Sequence, residues 1–368
     1  MTQQHIKLGN QSDGKDGDTN RAAWEKAESN FSELYGGALS TPSFKNLLIN
    51  GNFDVWQRGT SGFATTGFVY TADRWKVLSP SSMVTVSRQQ FQGGQSDVPN
   101  NPKYFIRSSV TSVAGAGNCS VLAHFIEDVS RLSGQMVTVS FWAKADASRR
   151  IGISLDQNPG GGGAASAQVT GPGQAVQLST VWQKFTLTFA LPSIAGLTLG
   201  TSANDSTSLN FWLDAGGTYN ARSGGIGQQS GVFDVAQVQM ELGPYATSFD
   251  VRPQGIELAL CQRYARIING GGLTGVALSA TTILFASQWP AMRASPTATL
   301  MKTSFSASTY ELLVGPNWVG GSNCALSNPG VTSQSIMTAM NGFSGLTAGQ
   351  PVLINNVAAS ILLLEAEY

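Results

Sequence analysis

Met136-Val-Thr-Val-Ser-Phe-Trp-Ala-Lys144 decides the fold class of this chain. Val137, Val139, Phe141 and Ala143 fall on one phase of a two-residue period, and Thr138, Ser140, Trp142 and Lys144 on the other. A segment of this kind is a β-strand with one face on a core and the other turned away from it. The alternation recurs in Phe185-Thr-Leu-Thr-Phe-Ala-Leu191 and in Leu209-Asn-Phe-Trp-Leu-Asp214. Glycine-rich turns separate such runs, most densely at Pro159-Gly-Gly-Gly-Gly163. Short alternating strands over about 200 residues, with no amphipathic helices between them, predict an all-β jelly-roll sandwich and disfavour a parallel α/β sheet.

Outward from that body the chain divides into three. With 368 residues it exceeds one mid-sized core. Thr41-Pro-Ser43 reads as a linker, and Asn46-Leu-Leu-Ile-Asn-Gly-Asn-Phe-Asp-Val-Trp-Gln-Arg58 as a strand running into a turn that presents Trp56. Residues 1–45 are then an N-terminal segment, 46–250 the jelly roll, and 251–368 a smaller C-terminal β domain. In the leader, Trp24, Ala27, Phe31 and Leu34 recur at helical spacing after a cap at Asp18 or Thr19. A helix of about 16 residues is marginal alone in water, so this apolar stripe needs a partner. Ile256-Glu-Leu-Ala-Leu-Cys-Gln-Arg-Tyr264 reads as a short helix or a bridging strand. Ile361, Leu362, Leu363 and Leu364 are apolar on both strand faces, which calls for a covering layer or a second subunit.

Composition removes several classes of function. Lys plus Arg and Asp plus Glu each number 22, and the net charge is zero, without the basic stripe of a nucleic-acid binder. Charged residues make up 12% of the chain, about half the usual share, which suits a turn-rich β protein or one that buries surface in an oligomer. No run of about 18 apolar residues predicts a membrane span, and Met1-Thr-Gln-Gln-His-Ile-Lys7 lacks a secretory core. Cys119, Cys261 and Cys324 have no metal-ligand spacing and read as buried small hydrophobes. The acidic run Asp13, Asp16 and Asp18 lacks the spacing and the final Glu of an EF-hand. His5 and His124 stand outside any triad or metal pattern, and no phosphate-binding glycine loop occurs. No catalytic residue is assigned.

Four segments in combination carry a resemblance: Asn46–Arg58, Ser140-Phe-Trp-Ala-Lys144, Trp182-Gln-Lys-Phe185, and Phe233-Asp-Val-Ala-Gln-Val-Gln-Met-Glu-Leu-Gly243. Together they resemble bacteriophage tail-fibre proteins that contain a jelly roll similar to carbohydrate-binding modules. Ile256–Tyr264 and Met292-Arg-Ala-Ser-Pro-Thr297 resemble the segment that follows such a module. Gly17-Asp-Thr-Asn-Arg21 and Asn30-Phe-Ser-Glu-Leu-Tyr35 resemble tail-anchoring leaders. The resemblance implies a homotrimeric virion protein, made in the host cytoplasm and built into the tail. Residues 1–45 would join other tail proteins, and the fibre would attach to host surface polysaccharide without cleaving it. Trp24, Phe31, Leu34, Ile361 and Leu363 are then the expected oligomerisation residues, with the C-terminal domain as trimerisation element or distal tip. Trp289 and Trp318 are aromatic candidates at such a tip. Modules of this kind often carry a structural calcium, expected here near Asn52 and Asp234, and no other cofactor.

Trp142 and Trp212 fall on the polar phase of their strands, and Trp182 is in phase with Lys184, Thr186 and Thr188. An indole among Ser, Thr, Asn and Asp is what a sugar needs, one face to stack on its C–H side and polar neighbours for its hydroxyls. The expected glycan contacts are Trp142, Trp212, Trp182, Asp214 and Trp56. The competing reading is that these tryptophans pack under a loop, under the leader, or against a sister subunit. Asp54, Trp56 and Arg58, with Asp73-Arg74-Trp75 following, either bind a polar ligand or tie two strands together. A structural fibre without glycan binding and a polysaccharide depolymerase remain the alternatives.

Overall fold

Met136–Ala145 is an interior strand of its sheet. A computed structural model describes residues 6–7, 17–33, 44–269, 273–301, 311–314, 317–355 and 360–367. Among them the leader forms α1 (Asn20–Glu33). The body then runs through β1 (Phe63–Thr65), β2 (Phe68–Tyr70), β3 (Trp75–Leu78), β4 (Met83–Gln90), β5 (Tyr104–Thr111), β6 (Cys119–Glu127) and β7 (Met136–Ala145). It continues through β8 (Arg149–Asn158), β9 (Val169–Thr170), β10 (Gln174–Leu178), β11 (Gln183–Ala190), β12 (Ser206–Ala215), the short α2 (Asn220–Ser223) and β13 (Gly231–Leu242). One sheet has the order β1-β4-β5-β13-β7-β11. The other is β10-β8-β12-β6-β3-β2, with β9 on β8. These strands pair antiparallel throughout the two sheets. The chain is an all-β jelly-roll sandwich followed by a second β unit.

The apolar phases meet between the two sheets. Val137, Val139, Phe141 and Ala143 are fully buried, and the Phe141 ring lies 5.0 Å from Phe211 of the opposite sheet. Each such side chain contributes about 1.5–3 kcal/mol by leaving water. β13 carries a bulge. Its pairing with β7 shifts between Ala236 and Gln239, and Gln237 adopts φ 46°.

Asn46–Arg58 is not the strand that its sequence suggests. It is an irregular segment with Asn50 and Phe53 at positive φ. Side chains replace the ladder there. Asn46 Oδ1 accepts from the Leu48 and Met240 amides, and Asn50 bonds the amide and carbonyl of Val55. These bonds let Leu48 and Phe53 reach the core while the backbone polar groups stay satisfied.

Ile256–Tyr264 resolves as a helix, α3 (Gln254–Gln262), which leads into β14 (Ala265–Asn269). The remaining strands are β15 (Leu273–Ala277), β16 (Thr282–Gln288), β17 (Thr297–Leu300), β18 (Glu311–Val314), β19 (Asn317–Val319), β20 (Ala325–Val331), β21 (Ser335–Asn341), β22 (Pro351–Asn355) and β23 (Ser360–Glu365). They form a sheet β14-β23-β17 and a sheet β19-β18-β22-β15-β16-β21-β20 around their own apolar cluster. β23 is the middle strand of its sheet. Leu362 and Leu364 are buried in this cluster, and Leu363 is half-buried. The Ile361 side chain and Leu34 lie outside the described residues. On α1, Trp24 is 74% exposed and Phe31 is exposed. Among the described residues no helix is long and apolar enough to cross a membrane.

A buried ionic cluster ties the sandwich to the last strand. Arg58 reaches Asp73 (3.1 Å), Glu365 (2.7 Å) and Glu367 (3.3 Å), and Arg74 also pairs with Glu367. Arg74 lies over the Tyr264 ring at 3.5 Å. The Arg58–Asp73 pair thus stays within the sandwich, and the same arginines reach on to Glu365 and Glu367, which are distant in sequence. Burial pushes Asp73 up to about 6 against the pull of Arg58.

Candidate functional site

Three of the five expected glycan contacts, Trp212, Asp214 and Trp56, are buried, and a fourth, Trp182, is half-buried against neighbouring rings. Trp212 is 2% exposed because the turn around α2 roofs the outer face of β12. Its Nε1 donates to Ser154 Oγ (2.9 Å), Tyr219 packs on its ring at 5.1 Å, and Arg222 lies over it at 5.0 Å. Arg222 is held there by Asp156 (2.6 Å), which also accepts from Asn210 (2.8 Å). Asp214 is fully buried and accepts from Ser82, Ser112 and the Gln229 amide, each at 2.8 Å. Trp56 is in the main core, with Nε1 on the Phe53 carbonyl. Trp182 is half-buried, its ring 5.2 Å from Phe91 and from Phe105. The polar phase of these strands is therefore a second buried face at several positions, and the packing reading holds for them. His124 is likewise a core residue. Its Nε2 meets the Ile49 backbone, and burial holds it well below the usual imidazole range. All three cysteines are buried and unpaired.

Trp142 differs. It is half-buried on the outer face of the β11-β7-β13 sheet, in register with Lys184 on one side and Ala236 on the other. Two segments wall this spot. The loop between β4 and β5 crosses on one side, pinned by Phe91 and Val98 against Phe105 and Ala236. Asn100 and Asn101 turn it at φ 64° and 45°, and Gln237 at the bulge donates to the Pro99 carbonyl (2.8 Å). The chain after β13 forms the other wall. Glu241 accepts from the Thr247 amide (2.8 Å), and Gln239 accepts from the Asp250 amide (2.7 Å). The walls enclose a groove of about 220 Å³ between Trp142, Ser140 and Lys184 on the floor and Pro99, Asn100, Gln237, Ser248 and Phe249 at the sides. The volume admits about one pyranose ring.

The groove has the chemistry of a stacking site. Trp142 and Phe249 offer aromatic surface, and Ser140, Asn100 and Gln237 supply hydrogen-bonding groups. Lys184 is the one charged side chain of the lining. The wall residues Pro99, Asn100, Gln237, Ser248 and Phe249 carry no periodic signal, so strand phase alone missed them.

The expected calcium pair does not fit at Asp234. Both of its carboxylate oxygens accept from the Arg107 guanidinium (2.7 and 2.8 Å), and Lys144 Nζ lies 4.0 Å away. Calcium takes six to eight oxygen ligands and would have to displace these cations. Asn52 instead donates to Asp54 (2.8 Å) beside a recess of about 20 Å³ that Asp250, Arg252 and Glu257 also line. There the Arg252 guanidinium bonds the Asn46 and Leu48 carbonyls. Burial pushes Asp54 above the usual carboxylate range. Among the described residues no cluster of three or more acidic, His or Cys groups is arranged for a metal.

No family model matches the chain, and no curated protein sequence matches it. Among solved structures, a family 4 carbohydrate-binding module aligns with 53% of this chain and 99% of its own, at 16% identity and a TM-score of 0.31. A family 11 module from Clostridium thermocellum, in complex with a mixed-linked tetrasaccharide, aligns over 51% and 99% at 13% identity and 0.30. The enzymatically active domain of tailspike protein 4 of bacteriophage CBA120 aligns over 55% of this chain and only 22% of its own, at 15% identity and 0.32. At these scores the likeness carries no argument about ligand or reaction.

Proposed function

We propose that this protein is a glycan-binding component of a phage tail fibre that attaches the virion to host surface polysaccharide without cleaving it. The observation that supports the reading is Trp142, half-buried on the floor of a groove that Pro99, Phe249 and polar side chains also line. Glycoside hydrolysis uses a carboxylic acid and a carboxylate across the scissile bond, and the groove lining holds neither. In this reading residues 1–45 anchor the chain to other tail proteins, 46–250 bind, and 251–368 trimerise or form the tip. Three shallow sites on one stalk raise the effective affinity by about 10²–10⁴ where the geometry allows.

A glycan array probed with the full chain and with Trp142→Ala tests the proposal. The expected result is binding to a defined set of polysaccharides, reduced at least about tenfold in the variant at unchanged thermal stability. Wild-type protein that binds no glycan, or a variant that binds equally, refutes the groove. A purely structural fibre is the second reading, and the exposed Trp24 and Phe31 of α1 favour it as an assembly surface. It predicts a trimer in solution with no glycan binding.

A further inference from the structure

We infer that the glycan taken by this groove is acidic, a polysaccharide whose sugar ring stacks on Trp142 while a ring carboxylate pairs with Lys184. The inference rests on the glycan-binding reading of the same groove and adds the chemical class. The lining carries one cation and no carboxylate. Lys184 is exposed, directly opposite Trp142 in the β11–β7 ladder, and makes no ion pair among the described residues.

The neighbouring row holds a carboxylate that the Trp142 row lacks. One register step along the same face, Lys144 sits 5.3 Å from the Trp182 ring and 4.0 Å from Asp234, and Arg107 forks onto Asp234. That row shares one carboxylate between two cations. The Trp142 row offers its ammonium no carboxylate of its own. Ser140, one register step from Trp142 on the same strand face, has a hydroxyl with no side-chain hydrogen bond among the described residues, so it serves a sugar hydroxyl beside the charge. A neutral sugar satisfies the tryptophan and the serine and leaves the lysine to solvent. A uronic or other carboxylated sugar engages all three at the spacing of one ring.

The test uses the full-length protein against polygalacturonate, alginate and polysialic acid, each beside its carboxyl-reduced counterpart. Binding is measured by calorimetry or biolayer interferometry at low and at high salt. The expected result is that at least one acid form binds about fivefold more tightly than its reduced form, the worth of one partly screened ion pair. The preference shrinks with salt, and Lys184→Gln removes it. Equal binding of acid and reduced forms overturns the acidic class and leaves glycan binding standing. So does a preference that survives Lys184→Gln. Absence of binding to all six polymers overturns the groove reading and the acidic class with it.

Discussion

Arg58→Met isolates what the buried ionic cluster does for the fold. The Arg58 side chain is 6% exposed and serves three carboxylates, on Asp73, Glu365 and Glu367. Methionine keeps the unbranched stem and adapts to the space, so the change is mainly one of charge. It leaves Asp73 and Glu365 without that cation and Glu367 with the Arg74 guanidinium. Burial lowers the Lys76 ammonium from its ordinary value, and Glu367 works against that. Removing one partner of a buried pair costs about 3–5 kcal/mol, because the other charge stays desolvated. The sign with pH follows from Asp73, whose folded-state value of about 6 lies above its ordinary 3.8. Between those values the folded protein holds a proton that the unfolded chain has released. Stability from this group is therefore fully present below the lower value and is lost as pH rises through the higher one, by about 3 kcal/mol in the wild type. Without Arg58 the Asp73 carboxyl moves further up, so the deficit is largest above neutrality and shrinks as the pH falls toward about 5. Urea unfolding followed by tryptophan fluorescence at both pH values reads this directly. A variant within about 1 kcal/mol of wild type above neutrality, or a deficit that does not change with pH, refutes the reasoning.

Three further substitutions, at two positions, separate packing from binding. Trp212→Ala empties the space beneath Tyr219 and Arg222 and removes the indole bond to Ser154, so it costs about 3–5 kcal/mol in chemical denaturation. Trp212→Phe keeps most of the packing and binds glycan like wild type. Gly152→Ala places a methyl group on the Ser223 carbonyl oxygen at the point where the α2 turn lies on β8. It costs about 1–3 kcal/mol and raises the fluorescence accessibility of Trp212 to a neutral quencher.

The sandwich was legible because a period of two needs only the residues of one strand. Met136–Ala145 and Ser206–Ala215 both formed as their alternation requires. Whether the second phase meets water is not a property of the strand. On β12 it is roofed by a short turn of small and polar residues that carries no periodicity of its own. One residue did mark the roof. Gly152 interrupts the apolar and polar alternation of β8 directly across from Trp212, and a glycine inside a strand signals close approach of another backbone. Asn46–Arg58 failed for a related reason. Its apolar residues pattern as a strand, but Asn46 and Asn50 satisfy the backbone with side chains, an option that hydrophobic periodicity does not register.

The groove also left a trace in the sequence, in the form of a phase slip. In β13 the core residues are Phe233 and Val235, on odd positions, and then Val238 and Met240, on even ones. An alternation that changes parity needs one extra residue, which is a bulge. The slip falls at Ala236-Gln237, beside Trp142 in the ladder. Its consequence is that the chain bends there and aims Gln237 at the loop carbonyl of Pro99 instead of into the core. Without the slip, Val238 and Met240 would lie on the outer face, and the floor under Ser140 and Trp142 would be aliphatic and closed. The same extra residue that restores the core to the inner phase thus fixes one wall of the groove. Deleting Gln237 should therefore leave a regular ladder, with Val238 and Met240 still on the inner phase, and remove the bond that pins the Pro99 wall, and a stably folded deletion variant that still binds glycan would separate the groove from the bulge.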